Sequence, residues 1–162
     1  MNTEKQDPDI DIHITKNFKD ITIDQSRIKK LIKNICDNFK LKKVTISIVI
    51  VGNDEITKLN KKFLNRNSTT DCLSFDLSDK NSGYQKTFEI IVNAQKAIKE
   101  TEKRPHFPQD ELALYITHGI LHNLGFNDDN PENAKKMHDT EDQILQQQGF
   151  GFVYNSRSAA EN

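Results

Sequence analysis

The sequence predicts a single-domain α/β (α+β) fold: a roughly four-stranded mixed sheet covered by helices, with one buried central helix. Three observations predict it. Short segments that alternate in polarity, or are rich in β-branched residues, are interleaved with segments whose apolar residues recur at helical spacing. One helical segment is apolar almost all round, which belongs in the middle of a fold and not on its surface. The chain is 162 residues long, the usual size of one domain, and no repeat or low-complexity linker divides it.

The elements follow in order. Ile10-Asp11-Ile12-His13-Ile14 alternates at period two and starts a first strand. A helix over 26–39 places Ile28, Leu31, Ile32, Ile35 and Phe39 inward and Arg27, Lys29, Lys30 and Lys33 outward. Residues 44–51 are a β-branched strand that Gly52-Asn53 punctuates. Asn53 is placed to cap a helix reaching about Leu64, with Ile56, Leu59 and Phe63 inward. Segments 71–77 and 87–92 read as two further strands, and 93–103 as a short helix ended by Arg104-Pro105. Pro108-Gln109-Asp110-Glu111 puts proline and acids in a first helical turn. The apolar helix over 112–124 grows from it, and Gly125 ends it. Pro131 starts a last helix to about Gln148, with Met137, Ile144 and Leu145 inward. The chain thus divides into a disordered tail over 1–9, a domain over 10–150 and a flexible tail over 151–162.

Composition limits the function. Hydrophobic residues make up 35% and charged residues 29%, with no run near the roughly 20 apolar residues of a membrane span. Residues 1–10 lack the apolar core of a signal peptide. Cys36 and Cys72 have no metal-like spacing and read as ordinary buried thiols of a reducing, cytoplasmic compartment. No membrane partner and no organic cofactor are expected. Net charge is −1, but segment 16–66 carries 13 Lys/Arg against 5 Asp/Glu, or +8, while 67–162 carries 9 against 15, or −6. Such asymmetry suits a polyanion on one side; solvated helix faces also produce it.

His118 and His122 carry the chemistry. Spaced i and i+4 on the apolar helix, they lie on one face about 6 Å apart at Cβ, where one cation can bind both. Gly125 then turns the chain, and Asp128 follows in a pattern His-x3-His-x2-Gly-x2-Asp. Two nitrogens and one oxygen leave a fourth tetrahedral position for water, which distinguishes a hydrolytic zinc site from a closed structural one. One Zn2+ per chain is expected. A lone histidine on an apolar helix is usually a satisfied core residue, but two must both find partners away from water. His13, His106 and His138 have no partner pattern and read as surface or strand residues. Zinc peptidases of this spacing carry Glu after the first His as general base; here Gly119 stands there, so peptide hydrolysis ranks second.

His118-Gly119-Ile120-Leu121-His122 with Gly125-Phe126 resembles the H-G-x-L-H-x-x-G-Y signature of the YbeY family, bacterial rRNA maturation endoribonucleases. Leu59-Asn60 through Thr70-Asp71-Cys72-Leu73-Ser74-Phe75 is similar to that family's L-N-x-x-Y-R … T-D-V-L-S-F stretch, and Glu89-Ile90-Ile91-Val92 to its G-D-I-V-I. The resemblance implies a zinc-dependent hydrolase that cleaves single-stranded RNA, acting in 16S rRNA 3′-end maturation and ribosome quality control, with the small ribosomal subunit as partner. The basic half, including Lys40, Lys42, Lys43, Lys58, Lys61 and Lys62, would then face RNA. Two positions depart from the family pattern. The third ligand, usually His, is Asp128; Asp129 is adjacent, but Asp128 keeps the spacing. The family Arg after the aromatic is replaced by Leu64, and Arg66 is the candidate to stabilise phosphorane charge in its place. A non-catalytic ribosome-assembly protein is the remaining alternative.

Overall fold

Period-two burial builds the sheet. In strand β2 (Lys43–Val51), Val44, Ile46, Ile48 and Ile50 are buried, and Thr45, Ser47 and Val49 between them are half-buried. β2 pairs in parallel with β1 (Asp9–Lys16) on one side and with β4 (Lys86–Asn93) on the other, so that Ile14, Ile48 and Ile90 lie side by side. β3 (Cys72–Asp76) adds to the outer side of β4 in the antiparallel sense, giving the order β1-β2-β4-β3. The computed structural model describes residues 8–81 and 83–150. The sequence-predicted tail over 151–162, and all but the last two residues of that over 1–9, lie outside them; Asp9 already belongs to β1.

Two faces of this mixed sheet are covered unequally. Helices α1 (Gln25–Asn38), α4 (Pro108–Asn123) and α5 (Pro131–Gln147) bury one face in a large core that includes Ile28, Leu31, Ile46, Phe88, Leu112, Ile116, Ile120 and Leu145. Each such fully buried side chain contributes roughly 1.5–3 kcal/mol relative to exposure. The other face holds a small cluster of Val51, Ile56, Leu73 and Ile91 under α2 (Asn53–Leu64). α3 (Ala94–Thr101) follows β4 directly, started by Asn93, whose side chain accepts from the Lys96 N–H. The single domain, the mixed four-stranded sheet and the buried central helix agree with the sequence reading.

Two local expectations on α2 are corrected. Gly52, not Asn53, is the N-cap, and the Asn53 N–H is met by the Gln95 side chain at 2.6 Å. The Asn53 carboxamide accepts instead from Asn93, which also reaches the Thr70 carbonyl and so fixes the chain leading into β3. Phe63, expected inward, is 56% exposed. Its helical spacing from Ile56 and Leu59 is right, but Phe63 lies outside the small apolar cluster and rests its ring against Phe75 on the edge strand.

Candidate metal centre

α4 earns its central place from its composition: Leu112, Ala113, Leu114, Tyr115, Ile116, Ile120 and Leu121 are all buried. Its start is fixed by Pro108 in the first turn and by Asp110, whose carboxylate accepts from the Phe107 N–H at 2.7 Å. Its end is fixed by Gly125, whose φ of 101° lies in the left-handed region that side chains disfavour. The Phe126 N–H then bonds back to the Leu121 carbonyl at 3.0 Å. Gly119 faces the sheet: a Cβ there would lie 2.8 Å from Ile90 Cγ2 and 2.9 Å from Cys72 Sγ, so the position next to His118 has no room for a glutamate base. Its carbonyl accepts from the Ser74 hydroxyl at 2.6 Å, which locks α4 onto β3. Burial raises the thiol pKa of Cys72 well above its ordinary value and that of Cys36 to about 12, so burial favours the neutral thiol at both.

His118 and His122 point their Nε2 atoms at each other, 3.0 Å apart. Their other nitrogens are both committed. Nδ1 of His122 is 3.0 Å from the Phe126 carbonyl, which can only accept, so that nitrogen carries the proton. Nδ1 of His118 is 2.6 Å from a carboxylate oxygen of Glu141 on α5, a residue 1% exposed. In the neutral rings, therefore, two Nε2 lone pairs face one another. They repel unless a proton or a cation lies between them. Asp128, on the exposed turn after Gly125, brings a carboxylate oxygen into the group, and the three ligand atoms all lie within 4.8 Å of one another. Donors around tetrahedral zinc at about 2.1 Å stand roughly 3.4 Å apart, so the residues present fit such an ion with a small closure of the Asp128 turn. Asp129 is not in the group among the described residues.

Two further residues belong here that the sequence reading did not place. Glu141 is the outer partner of His118, the carboxylate–histidine arrangement that fixes a ligand's tautomer and ring orientation. His138, expected on the surface, stacks on His118 with centroids 6.5 Å apart and an interplanar angle of 14°, and its Nδ1 lies 3.4 Å from the other Glu141 oxygen. His106, also expected on the surface, bonds to the fully buried Glu111 at 3.0 Å; its side chain is 11% exposed. His13 does lie exposed in its strand, paired with Asp11. Arg66 is exposed just beyond the left-handed cap at Asn65, and Leu64, at the family Arg position, is 47% exposed.

Burial by itself lowers the His118 pKa and raises that of Glu141, but their hydrogen bond reverses both: His118 rises above 6.5 and Glu141 falls below 4.5. The Glu141 contribution to stability is present above 4.5 and is lost as pH falls through its depressed value. The His118 contribution is present below 6.5 and is lost as pH rises through its raised value. Metal-free protein should therefore gain most from this pair between pH 4.5 and 6.5, and thermal melts in the presence of chelator should weaken to either side.

Over most of its length the chain is similar to proteins of one family. The family model described as Endoribonuclease YbeY matches residues 13–149. A protein of Malacoplasma penetrans named Endoribonuclease YbeY is 34% identical over 152 residues, 90% of this chain and 97% of that protein. One of the same name from Thermodesulfovibrio yellowstonii is 35% identical over 132 residues, 74% of this chain and 83% of that protein. The solution structure of TM1509 from Thermotoga maritima is similar with a TM-score of 0.59 at 22% identity, covering 91% of this chain and 95% of that one, a likeness of fold alone. No helix among the described residues is long and apolar enough to cross a membrane.

Proposed function

This chain belongs to the YbeY endoribonuclease family, and from that premise we propose that it is a zinc-dependent endoribonuclease of single-stranded RNA. Its site of action is the cytoplasm, at the 3′ end of 16S rRNA on the small ribosomal subunit, where cleavage serves maturation and quality control. The observation that carries the reading is the pair of Nε2 atoms 3.0 Å apart, each ring fixed through Nδ1 so that its lone pair faces inward. His118, His122 and Asp128 would hold the ion. Two imidazoles and a carboxylate with one open position are a hydrolytic donor set, and zinc in it supplies a Lewis acid and a nucleophile at neutral pH. Glu141 and the Phe126 carbonyl keep the two imidazoles oriented for that task. The lysines of α2 bind the RNA backbone, and Arg66 takes the charge that builds on the phosphate during cleavage. Peptide hydrolysis loses ground, because the place of its base is packed against Ile90 and Cys72. A non-catalytic ribosome-assembly role is favoured only by Leu64, which gives no charge where the family has Arg.

Purified protein should cleave an unpaired oligoribonucleotide, lose that activity to a chelator and regain it with added zinc. Cleavage indifferent to chelation would contradict the reading. Exposed Lys58, Lys61 and Lys62 stand at i, i+3 and i+4 on α2. Changing all three to Ser should reduce the slope of log affinity against log salt by about 2, at roughly 0.7 per phosphate contact, and leave zinc content unchanged. Arg66→Ala should lower turnover at saturating RNA with little change in affinity, because charge stabilised only in the transition state appears in kcat. Unaltered turnover would remove Arg66 from the reaction.

A further inference from the structure

The last turn of α2 overhangs the edge strand β3 and leaves Phe63 56% and Leu64 47% exposed. The Phe63 ring rests against Phe75, with centroids 5.5 Å apart and planes at 62°. Phe75 is half-buried and packs on the small apolar cluster under α2. Phe63 is thus backed by the half-buried Phe75 ring and more than half exposed, with the Lys62 ammonium over its ring. Its surroundings are cationic: Lys58, Lys61, Lys62 and Arg66 are all exposed, and Lys62 Nζ lies 5.3 Å from the Phe63 centroid. The strand beneath it is also tied to α4. Asn123, next to His122 in the chain, donates from Nδ2 to the Phe75 carbonyl at 3.2 Å, so the strand residue that supports Phe63 is bonded to the helix that carries both histidines.

An exposed ring among flexible cations matches the chemistry of an unpaired polynucleotide, whose phosphates meet the cations while a base covers the ring. A protein partner of apolar character would leave the lysines and Arg66 without counter-charge. We propose that Phe63, backed by Phe75, is a base-stacking platform for single-stranded RNA, with Lys61, Lys62 and Arg66 taking the flanking phosphates. The proposal rests on the endoribonuclease reading and deepens it, because it gives a physical source for a preference for unpaired RNA. A base in a duplex has both faces covered by its neighbours, so only an unstacked base lies flat on the ring.

Binding of a fluorescent single-stranded oligoribonucleotide to wild type, Phe63→Ala and Phe63→Tyr tests it, with chelator present so that no cleavage intervenes. Phe63→Ala should weaken binding by between about 5-fold and about 150-fold, the range for loss of one stacked base. Phe63→Tyr should restore it, the salt dependence should stay as in wild type, and a blunt duplex should bind all three alike. An oligonucleotide abasic throughout should not distinguish Phe63→Ala from wild type. Equal affinity of wild type and Phe63→Ala for the single strand would overturn the platform and leave zinc-dependent cleavage standing. So would a Phe63→Ala that keeps RNA but loses a ribosomal protein, which would make this face a protein-docking surface. Wild type that neither binds nor cleaves RNA would instead sink the endoribonuclease reading, and the platform with it.

Discussion

Zinc affinity should fall about 10-fold in Glu141→Gln and toward about 100-fold in Glu141→Ala, the usual range for loss of a ligand's outer hydrogen-bond partner. Glu141 touches no ion in this account. It lies 2.6 Å from His118 Nδ1, is 1% exposed, and holds the ring with Nε2 turned toward His122. Glutamine keeps an acceptor oxygen of the same shape and loses the charge that strengthens the imidazole as a donor to metal. Alanine loses both and leaves Nδ1 without its partner. Competition against a chromophoric chelator measures the affinity, and circular dichroism of the zinc-free variants separates it from a folding defect. Zinc binding equal to wild type in Glu141→Ala would mean that packing alone orients His118.

Arg104→Ala should destabilise the fold by about 3 kcal/mol, the low end of the cost of stripping one partner from a buried ion pair. Arg104 is 8% exposed in its side chain and bridges Glu100 at 2.9 Å and Glu111 at 3.3 Å; the Glu111 side chain is 0% exposed. Its removal leaves the Glu111 carboxylate inside the first turn of α4 with, among the described residues, His106 at 3.0 Å as its ion-pair partner. That remaining bond is why the low end applies. Replacing both partners by apolar residues, Arg104→Met with Glu111→Leu, should recover much of the loss, since a filled apolar site needs no charge compensation. Urea unfolding checks both. A single variant as stable as wild type would show that Glu111 is served by other groups.

How the site became legible follows from where its parts sit. His118, His122 and the Gly125 stop lie within one helix and its cap, so spacing alone put two imidazoles on one face and turned the chain back toward them. Glu141 lies 23 residues from His118 on another helix, and no local pattern joins them. One signal was there: Glu141 shares the inward stripe of α5 with Met137, Ile144 and Leu145, and an acid on an apolar stripe must have a buried partner. His138 adjoins Met137 on that helix and could have been found in the same way. The strands were read from their period, but the sheet order was not, because pairing β3 with β4 and not with β2 depends on the helix between β2 and β3. Phe63 was misplaced for a related reason. Periodicity gives the side of a helix that faces inward and not the point at which the sheet beneath it ends.

Metal content tests the central claim most directly. Wild-type protein purified without chelator should carry about one zinc per chain by elemental analysis. His122→Ala should lose most of it, and Asp128→His should keep it. Asp128→Ala should bind more weakly, whereas Asp129→Ala should not. Equal metal in wild type and His122→Ala would contradict the account, because the facing imidazoles would then hold no ion.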